Sequence, residues 1–196
     1  RVGEALCAAI RALEASGVDT PRLDAEVLLS GITGIDRARM ISEPDLEMKP
    51  ADAREFATAI RRRCAREPVA YILGRKGFRY IDLEVDQRVL VPRPETEMLV
   101  EVALEIDPAS VLEIGTGSGA IALAIADEIP EAGITATDVS ASALVIARRN
   151  AARLGSLGHI RFVEASIPDS GGFDLIVANL PYVAEDEHLA PEITKY

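Results

Sequence analysis

Glu113-Ile114-Gly115-Thr116-Gly117-Ser118-Gly119 follows the short apolar run Ser110–Ile114 and precedes the helical stretch Ala120–Ala126. A strand that passes into a helix through alternating glycines reads as the first βα turn of an open parallel sheet. Glycine accepts positive φ and lets a ligand come close to the backbone. Three alternating glycines exceed what an ordinary tight turn needs, so the loop is read as a ligand cradle. The chain downstream keeps the same rhythm. Ile134–Thr137 reads as a second strand ending at Asp138, and Ser140 as the cap of a helix that runs through Leu154 to Gly155. Ile160–Glu164 is a third strand and Phe173–Ala178 a fourth, with no helix legible before it. Strands alternating with helices predict an α/β, Rossmann-like fold with a parallel sheet and right-handed crossovers.

The glycine spacing narrows the ligand. A dinucleotide loop would put its third glycine three residues after the second, whereas Gly117 and Gly119 are two apart. That counts against a dehydrogenase and leaves a nucleoside-bearing cofactor, with Gly115, Thr116, Gly117, Ser118 and Gly119 as candidate contacts. Asp138 lies 19 residues beyond Gly119, at the end of the second strand. A carboxylate there can accept both ribose hydroxyl protons, or it can brace the helix that follows. Glu113 has two open roles as well. It can hold a cationic amino group of the cofactor, or tie the loop together by hydrogen bonds.

Asn179-Leu180-Pro181-Tyr182 follows the fourth strand. The tetrapeptide supplies what an amide or amine-like nitrogen needs before it can act as a nucleophile. An amide lone pair is delocalised into its carbonyl, so the nitrogen must be held in line with the bond it attacks. The Asn179 side-chain oxygen is one acceptor for its N–H groups. The Leu180 carbonyl is a second, because a residue before proline is biased toward an extended shape. Pro181 stiffens the corner, and Tyr182 offers a flat face for a planar group. Cradle and corner together point to methyl transfer from S-adenosylmethionine to such a nitrogen. Alone, the tetrapeptide reads equally well as a turn after a strand.

The first 67 residues are of another kind. Val2, Leu6, Ala9, Ile10 and Leu13 recur at helical spacing up to Gly17. Thr20-Pro21 starts a second helix, with an apolar stripe of Leu23, Val27 and Leu28, ending near Gly31. A third covers Arg37 to Ile41, and a fourth runs from Pro50 through Phe56 and Ile60 to a stop before Pro68. The division expected is a helical docking domain over 1–73, a linking β-hairpin over 74–91 and a cofactor-binding domain over 92–196. Arg61-Arg62-Arg63, with Arg66, is the densest basic run. It is read as a solvated helix face in preference to a docking patch for an acidic or RNA-bearing partner. Within 74–91 the strand-like residues are Phe78, Tyr80, Ile81, Leu83, Val85 and Val89–Val91, and Pro92-Arg93-Pro94 ends them. Glu95-Thr96-Glu97 then opens a helix whose acidic first turn complements its dipole.

Composition bounds the function. The chain of 196 residues is 48% hydrophobic, enough for a real core, and has no apolar run long enough to span a bilayer. Residue 1 is Arg and no signal peptide is legible. Cys7 and Cys64 are expected to be buried, reduced thiols of a cytoplasmic protein. His159 and His188 show no metal-ligand spacing, so no metal is expected. Residues 1–75 hold 12 basic and 12 acidic side chains, and residues 76–196 the other 9 and 20. The whole net charge of −11 therefore sits in the half that carries the motifs. A face tracking a nucleic-acid backbone would need clustered Lys and Arg, so a protein or small molecule is the expected substrate.

Pro68, Tyr71, Ile72, Gly74 and Phe78, then Val91-Pro92-Arg93-Pro94-Glu95-Thr96-Glu97, the glycine loop and Asn179–Tyr182 together resemble the bacterial release-factor glutamine methyltransferases. The resemblance covers essentially the whole chain. The Pro-Arg-Pro-Glu-Thr-Glu segment separates this family from other methyltransferases that share the glycine loop and the Asn-x-Pro-Tyr box. It implies a class I methyltransferase sheet with an N-terminal helical bundle that helps dock the substrate. The implied reaction methylates N5 of the glutamine in the Gly-Gly-Gln motif of peptide-chain release factors. S-adenosylmethionine is the donor, S-adenosylhomocysteine the product, and the setting cytoplasmic. Gly115, Gly117 and Gly119 are then assigned to the cofactor, Asp138 to its ribose and Asn179–Tyr182 to the glutamine, while Phe78, Arg93 and Pro94 line or support the pocket.

The sequence departs from the family pattern at three places. Leu180 replaces the first proline of the usual Asn-Pro-Pro-Tyr box but supplies the same backbone carbonyl. Asn-Leu-Pro-Tyr also occurs in adenine-N6 methyltransferases acting on DNA or RNA, which makes that activity the principal alternative. Ser166-Ile167 stand where the family often has Asp-Trp beside the adenine, so Ile167 takes that place. The methyltransferase fold also needs strands beyond the fourth. The sheet is therefore expected to be C-terminally incomplete in this chain, with the fourth strand an exposed edge. A non-enzymatic nucleotide-binding module is the remaining competitor.

Overall fold

The computed structural model describes residues 1–168 and 171–180. Pro181 and Tyr182 lie outside the described residues. Two compact units divide them, Arg1–Leu73 and the residues from Gly74 onward.

Unit one is all helical: α1 Val2–Ala15, α2 Pro21–Thr33, α3 Arg37–Ser42, α4 Pro50–Cys64 and α5 Val69–Leu73. Val2, Leu6, Ala9 and Leu13 of α1 meet Leu28 and Leu29 of α2 and Phe56 and Ile60 of α4 in one buried cluster. The apolar stripe of α2 differs from the sequence reading. Ala25, Leu28 and Leu29 face inward, whereas Leu23 and Val27 are exposed. Nor does Gly31 end that helix. A Cβ there would stand 2.7 Å from Leu73 Cδ2, so Gly31 is a notch for α5, and the helix ends at Gly34 in left-handed conformation. Five residues were too few for α5 to show a period, and its packing decides it.

The arginine run also differs from the solvated face expected. Arg63 is buried and donates to Asp24 Oδ2 at 2.6 Å, while Arg62 pairs with Glu67. Arg66 donates to the Gly17 carbonyl, and Arg61, which is exposed, to Thr58 Oγ1. Helical phase explains this, because one residue in the run faces the bundle while its neighbours face outward. The cysteines are corrected too. Cys7 is exposed, being next to Leu6 but off the buried stripe, and Cys64 is half-buried.

The second unit begins with an antiparallel hairpin, β1 Arg75–Phe78 and β2 Ile81–Glu84, turning through Arg79 and the exposed Tyr80. Its strands are shorter than the sequence reading. Val85 and Val89 are buried in a loop rather than a strand. A 3-10 turn, Pro94–Thr96, leads into α6 Glu97–Ile106. Then come β3 Ser110–Ile114, α7 Ala120–Glu128, β4 Gly133–Asp138, α8 Ala141–Arg153, β5 Ile160–Glu164 and β6 Leu175–Ala178. All four strands are parallel, in the order β5-β4-β3-β6. The chain builds outward from β3 through β4 to β5, then returns to the other side of β3. That reversal makes the carboxyl ends of β3 and β6 a switch point, the place where open parallel sheets bind ligands. Among the described residues β6 is an edge strand, and its Ile176 is exposed.

Candidate active site

The glycine loop leaves β3 at the switch point. Gly115, Gly117 and Gly119 all have positive φ (72°, 56° and 84°), which explains the alternation: each position demands a conformation that side-chain-bearing residues avoid. Thr116 N donates to the Thr137 carbonyl at the end of β4, and Gly119 N closes the turn on the Thr116 carbonyl. A Cβ on Gly117 would meet nothing within 4 Å, so the loop is open there.

Two carboxylates brace it. Glu113 is 2% exposed, and its Oε2 accepts from Thr116 Oγ1 at 2.6 Å and Ala122 N at 3.1 Å. These are the bonds of a loop tie, one of the two roles the sequence left open. Burial raises its pKa to about 7, opposed by the bonds from Thr116 and Ala122, with the nearby Asp138 charge pushing the same way as burial. Asp138 accepts from Gly117 N through Oδ2 and from Ser140 N through Oδ1, both at 2.9 Å. Each carboxylate oxygen keeps further acceptor capacity, so these bonds are compatible with a ribose contact. The cap of α8 is Ser140, whose Oγ accepts from Ala143 N.

β6 delivers Asn179 and Leu180 beside this loop, because Ile114 and Ala178 are register partners on adjacent parallel strands. The Leu180 side chain lies over the loop: a Cβ on Gly115 would come within 2.8 Å of Leu180 Cδ2. The two motifs, 60 residues apart in sequence, therefore face one another. Asn179 Nδ2 donates to Thr96 Oγ1 at 2.9 Å, which brings the Pro-Arg-Pro-Glu-Thr-Glu segment to the same corner. Among the described residues Asn179 Oδ1 has no hydrogen-bond partner.

The remaining expected residues fall into two groups. Arg93 and Pro94 are exposed, and Ile167 is exposed beyond the end of β5. Phe78 is 1% exposed within the hairpin, the setting of a supporting side chain rather than a lining one. Val139, Ile167 and Leu180 are large, apolar and exposed at the carboxyl ends of β4, β5 and β6. Apolar faces there, an open positive-φ loop and a carboxylate at the end of β4 fit a nucleoside with an attached chain.

Sequence reasoning missed Asn150 of α8. It is fully buried, with Oδ1 accepting from Glu84 N at 2.7 Å and Nδ2 donating to the carbonyls of Glu84 and Ser118, both at 2.9 Å. One side chain thus joins β2 to the glycine loop. The available signal was a polar residue on the inward stripe formed by Ala143, Ile146 and Ala147. Arg79 was missed as well. Its N–H donates to Glu97 Oε1, and its guanidinium grips Glu128 of α7, holding that carboxyl below the usual range.

Residues 4–74 match the family described as the PrmC N-terminal domain, and residues 94–195 the methyltransferase small domain. A release factor glutamine methyltransferase of Koribacter versatilis is 42% identical over 190 residues, covering 94% of this chain and 68% of the relative. The Vibrio cholerae enzyme of the same name is 40% identical over 194 residues, with shares of 95% and 68%. That of Xylella fastidiosa is 47% identical over 176 residues, with shares of 86% and 64%. The chain thus spans about two thirds of the length of these relatives. Among solved structures, a ribosomal protein L11 methylase from Lactobacillus delbrueckii aligns at a TM-score of 0.42 and 31% identity, over 50% of this chain and 52% of that one. With identity of this extent running through both the helical unit and the sheet, the chain belongs to the release factor glutamine methyltransferase family.

Proposed function

We propose that this protein uses S-adenosylmethionine to methylate the side-chain nitrogen N5 of the glutamine in the Gly-Gly-Gln motif of peptide-chain release factors, in the cytoplasm. The observation that carries the reading is the Leu180 side chain resting on Gly115, with Asn179 beside it. A donor loop and an acceptor corner at adjacent strand ends are what transfer between two bound groups requires.

S-adenosylmethionine, when bound, supplies a methyl group on a positively charged sulfur. Gly115, Thr116, Gly117, Ser118 and Gly119 would hold it through close backbone approach, with Asp138 at the ribose and Ile167 against the base. Glu113 keeps the cradle in shape. Asn179 Oδ1 and the Leu180 carbonyl take the two N–H groups of the substrate amide and so fix the direction of its lone pair. No strong base is needed, since an N-methylated amide cation gives up its proton readily. Pro181 and Tyr182 complete the corner in this reading. Arg93 and Pro94 flank it, and Phe78 supports the hairpin nearby in the same unit. The helical domain over 1–73, followed by the hairpin over 74–91 and the cofactor domain over 92–196, contributes the docking surface for the release factor.

The decisive experiment offers labelled S-adenosylmethionine with a release factor and, in parallel, with DNA and RNA. One methyl group on the Gly-Gly-Gln glutamine is the expected result, lost in Asn179→Ala while cofactor binding persists. Label in nucleic acid alone would replace this reading with the adenine-N6 one.

A further inference from the structure

We propose that Thr96 is a positioning residue, which anchors the Asn179 carboxamide in place beside the substrate amide. The inference rests on the reading of Asn179 as an acceptor for the substrate amide.

A carboxamide has two ends of nearly equal shape and opposite hydrogen-bonding sense. Oδ1 accepts from the amide of a glutamine, whereas a flipped side chain would set NH2 against NH2. A hydroxyl can pair with either end, so what Thr96 supplies is a fixed seat for the carboxamide. Asn179 Nδ2 can only donate, and at 2.9 Å the Thr96 hydroxyl oxygen receives it. That contact leaves Oδ1 as the free end among the described residues.

Thr96 is suited to the task. It is 8% exposed, and a β-branched side chain has few rotamers to lose. Its backbone N–H closes the 3-10 turn on the Arg93 carbonyl at 3.1 Å, with Pro94 fixing φ inside that turn. Next in sequence, Glu97 Oε1 takes the Arg79 N–H at 3.1 Å, and Arg79 is anchored in turn on Glu128. The hydroxyl therefore sits on a braced platform.

Local helix chemistry makes no use of that hydroxyl. Thr96 heads α6, where a threonine ordinarily accepts a backbone N–H from the first turn, yet it makes no such bond. Its φ and ψ of −67° and −21° are already helical, which withdraws the side chain from capping. A residue that breaks a local preference while serving a distant polar group is expected at functional sites.

Thr96→Val keeps the shape and removes the acceptor, and Thr96→Ser keeps the hydroxyl. Both are made in the intact enzyme. Three quantities are measured: the Asn179 side-chain amide resonances without substrate, kcat and KM on a release factor, and the dissociation constant of S-adenosylmethionine. Thr96→Val should shift the Asn179 amide pair and lower kcat about tenfold, the order expected of one misoriented group. Cofactor affinity should hold, and Thr96→Ser should restore kcat and resonances together. Unchanged resonances and kcat in Thr96→Val would overturn the proposal, as would equal damage from Val and Ser. Should the wild type transfer no methyl to glutamine, the functional reading falls, while the amide resonances still decide whether Thr96 anchors Asn179.

Discussion

Glu113 is a carboxyl whose folded environment favours the proton. Its pKa stands near 7 against the usual 4.5, chiefly because burial penalises the charge. The unfolded chain therefore releases this proton near pH 4.5, while the folded protein retains it until about pH 7. Between those values the native state binds more protons, so stability falls as pH rises. The loss amounts to about 3 kcal/mol once both states are ionised. Glu113→Gln keeps an acceptor for Thr116 and Ala122 but cannot ionise. Urea unfolding at pH 5 and pH 8 should show the wild type losing stability relative to the variant. Parallel values at both pH would refute the assignment. The glycines separate in the same manner. A Cβ on Gly119 would stand 2.9 Å from Leu123 Cδ1 and 3.4 Å from Ala147 Cβ, whereas on Gly117 it meets open space. Gly119→Ala should lower the melting temperature more than Gly117→Ala, whose backbone strain alone costs about 1–2 kcal/mol. Gly117→Ala should instead weaken S-adenosylmethionine binding in calorimetry, if the open space there is the proposed cofactor cradle. The alternating pattern was legible in sequence. Which glycine meets protein and which meets open space was not, since Leu123 and Ala147 reach Gly119 only through the fold.

Helix α8 does more than cover the sheet. Through Asn150 it carries a polar clip between β2 and Ser118, inside an otherwise apolar face. Asn150→Ala deprives the half-buried Glu84 N–H and the carbonyls of Glu84 and Ser118 of this partner, a cost of about 2 kcal/mol. Asn150→Asp should be worse, because a carboxylate cannot donate to the carbonyls of Glu84 and Ser118 and would be charged in a buried site. Urea midpoints should fall in the order wild type, Ala, Asp; an aspartate variant as stable as the wild type would deny the clip its donor role. Such ties explain where element reading worked. The boundaries of β3 and β5 fall where the sequence reading put them, because each is a short run with apolar residues at its centre, set between a helix end and a loop. The hairpin was read too long because Val85 and Val89 are buried without being paired, and hydrophobicity alone does not distinguish those cases. On α2 the inward stripe was set one position off, since Leu23 and Val27 are as apolar as Leu28 and only the neighbouring helices select among them.

The two compact units are built from different elements, and their independence can be measured. Residues 1–73 form an apolar helical cluster tied by the Asp24–Arg63 pair, each side chain about nine-tenths buried. From Gly74 onward an apolar core that includes Leu112, Leu123, Ile125 and Ile146 is joined by strand pairing, the glycine loop and Asn150. Sequence made the two kinds of unit legible, because helical spacing gives way to alternating strands and helices. Strand order was not legible: nothing local to Leu175–Ala178 says that it lies beside β3 rather than β5. The basic run misled for a related reason, since the acid that claims Arg63 lies 39 residues away. Removing one partner of a buried pair costs about 3–5 kcal/mol, because the other charge stays buried alone. Arg63→Ala should therefore destabilise the helical unit, and Asn150→Ala the sheet unit. If each unit melts cooperatively by itself, calorimetry resolves two transitions, and each variant lowers one of them. S-adenosylmethionine should raise only the transition that Asn150→Ala lowers, since only a state that binds ligand is stabilised by it. A single transition lowered by both variants and raised as a whole by the cofactor would mean one cooperative body, and the separation of docking from transfer would then lack a thermodynamic basis.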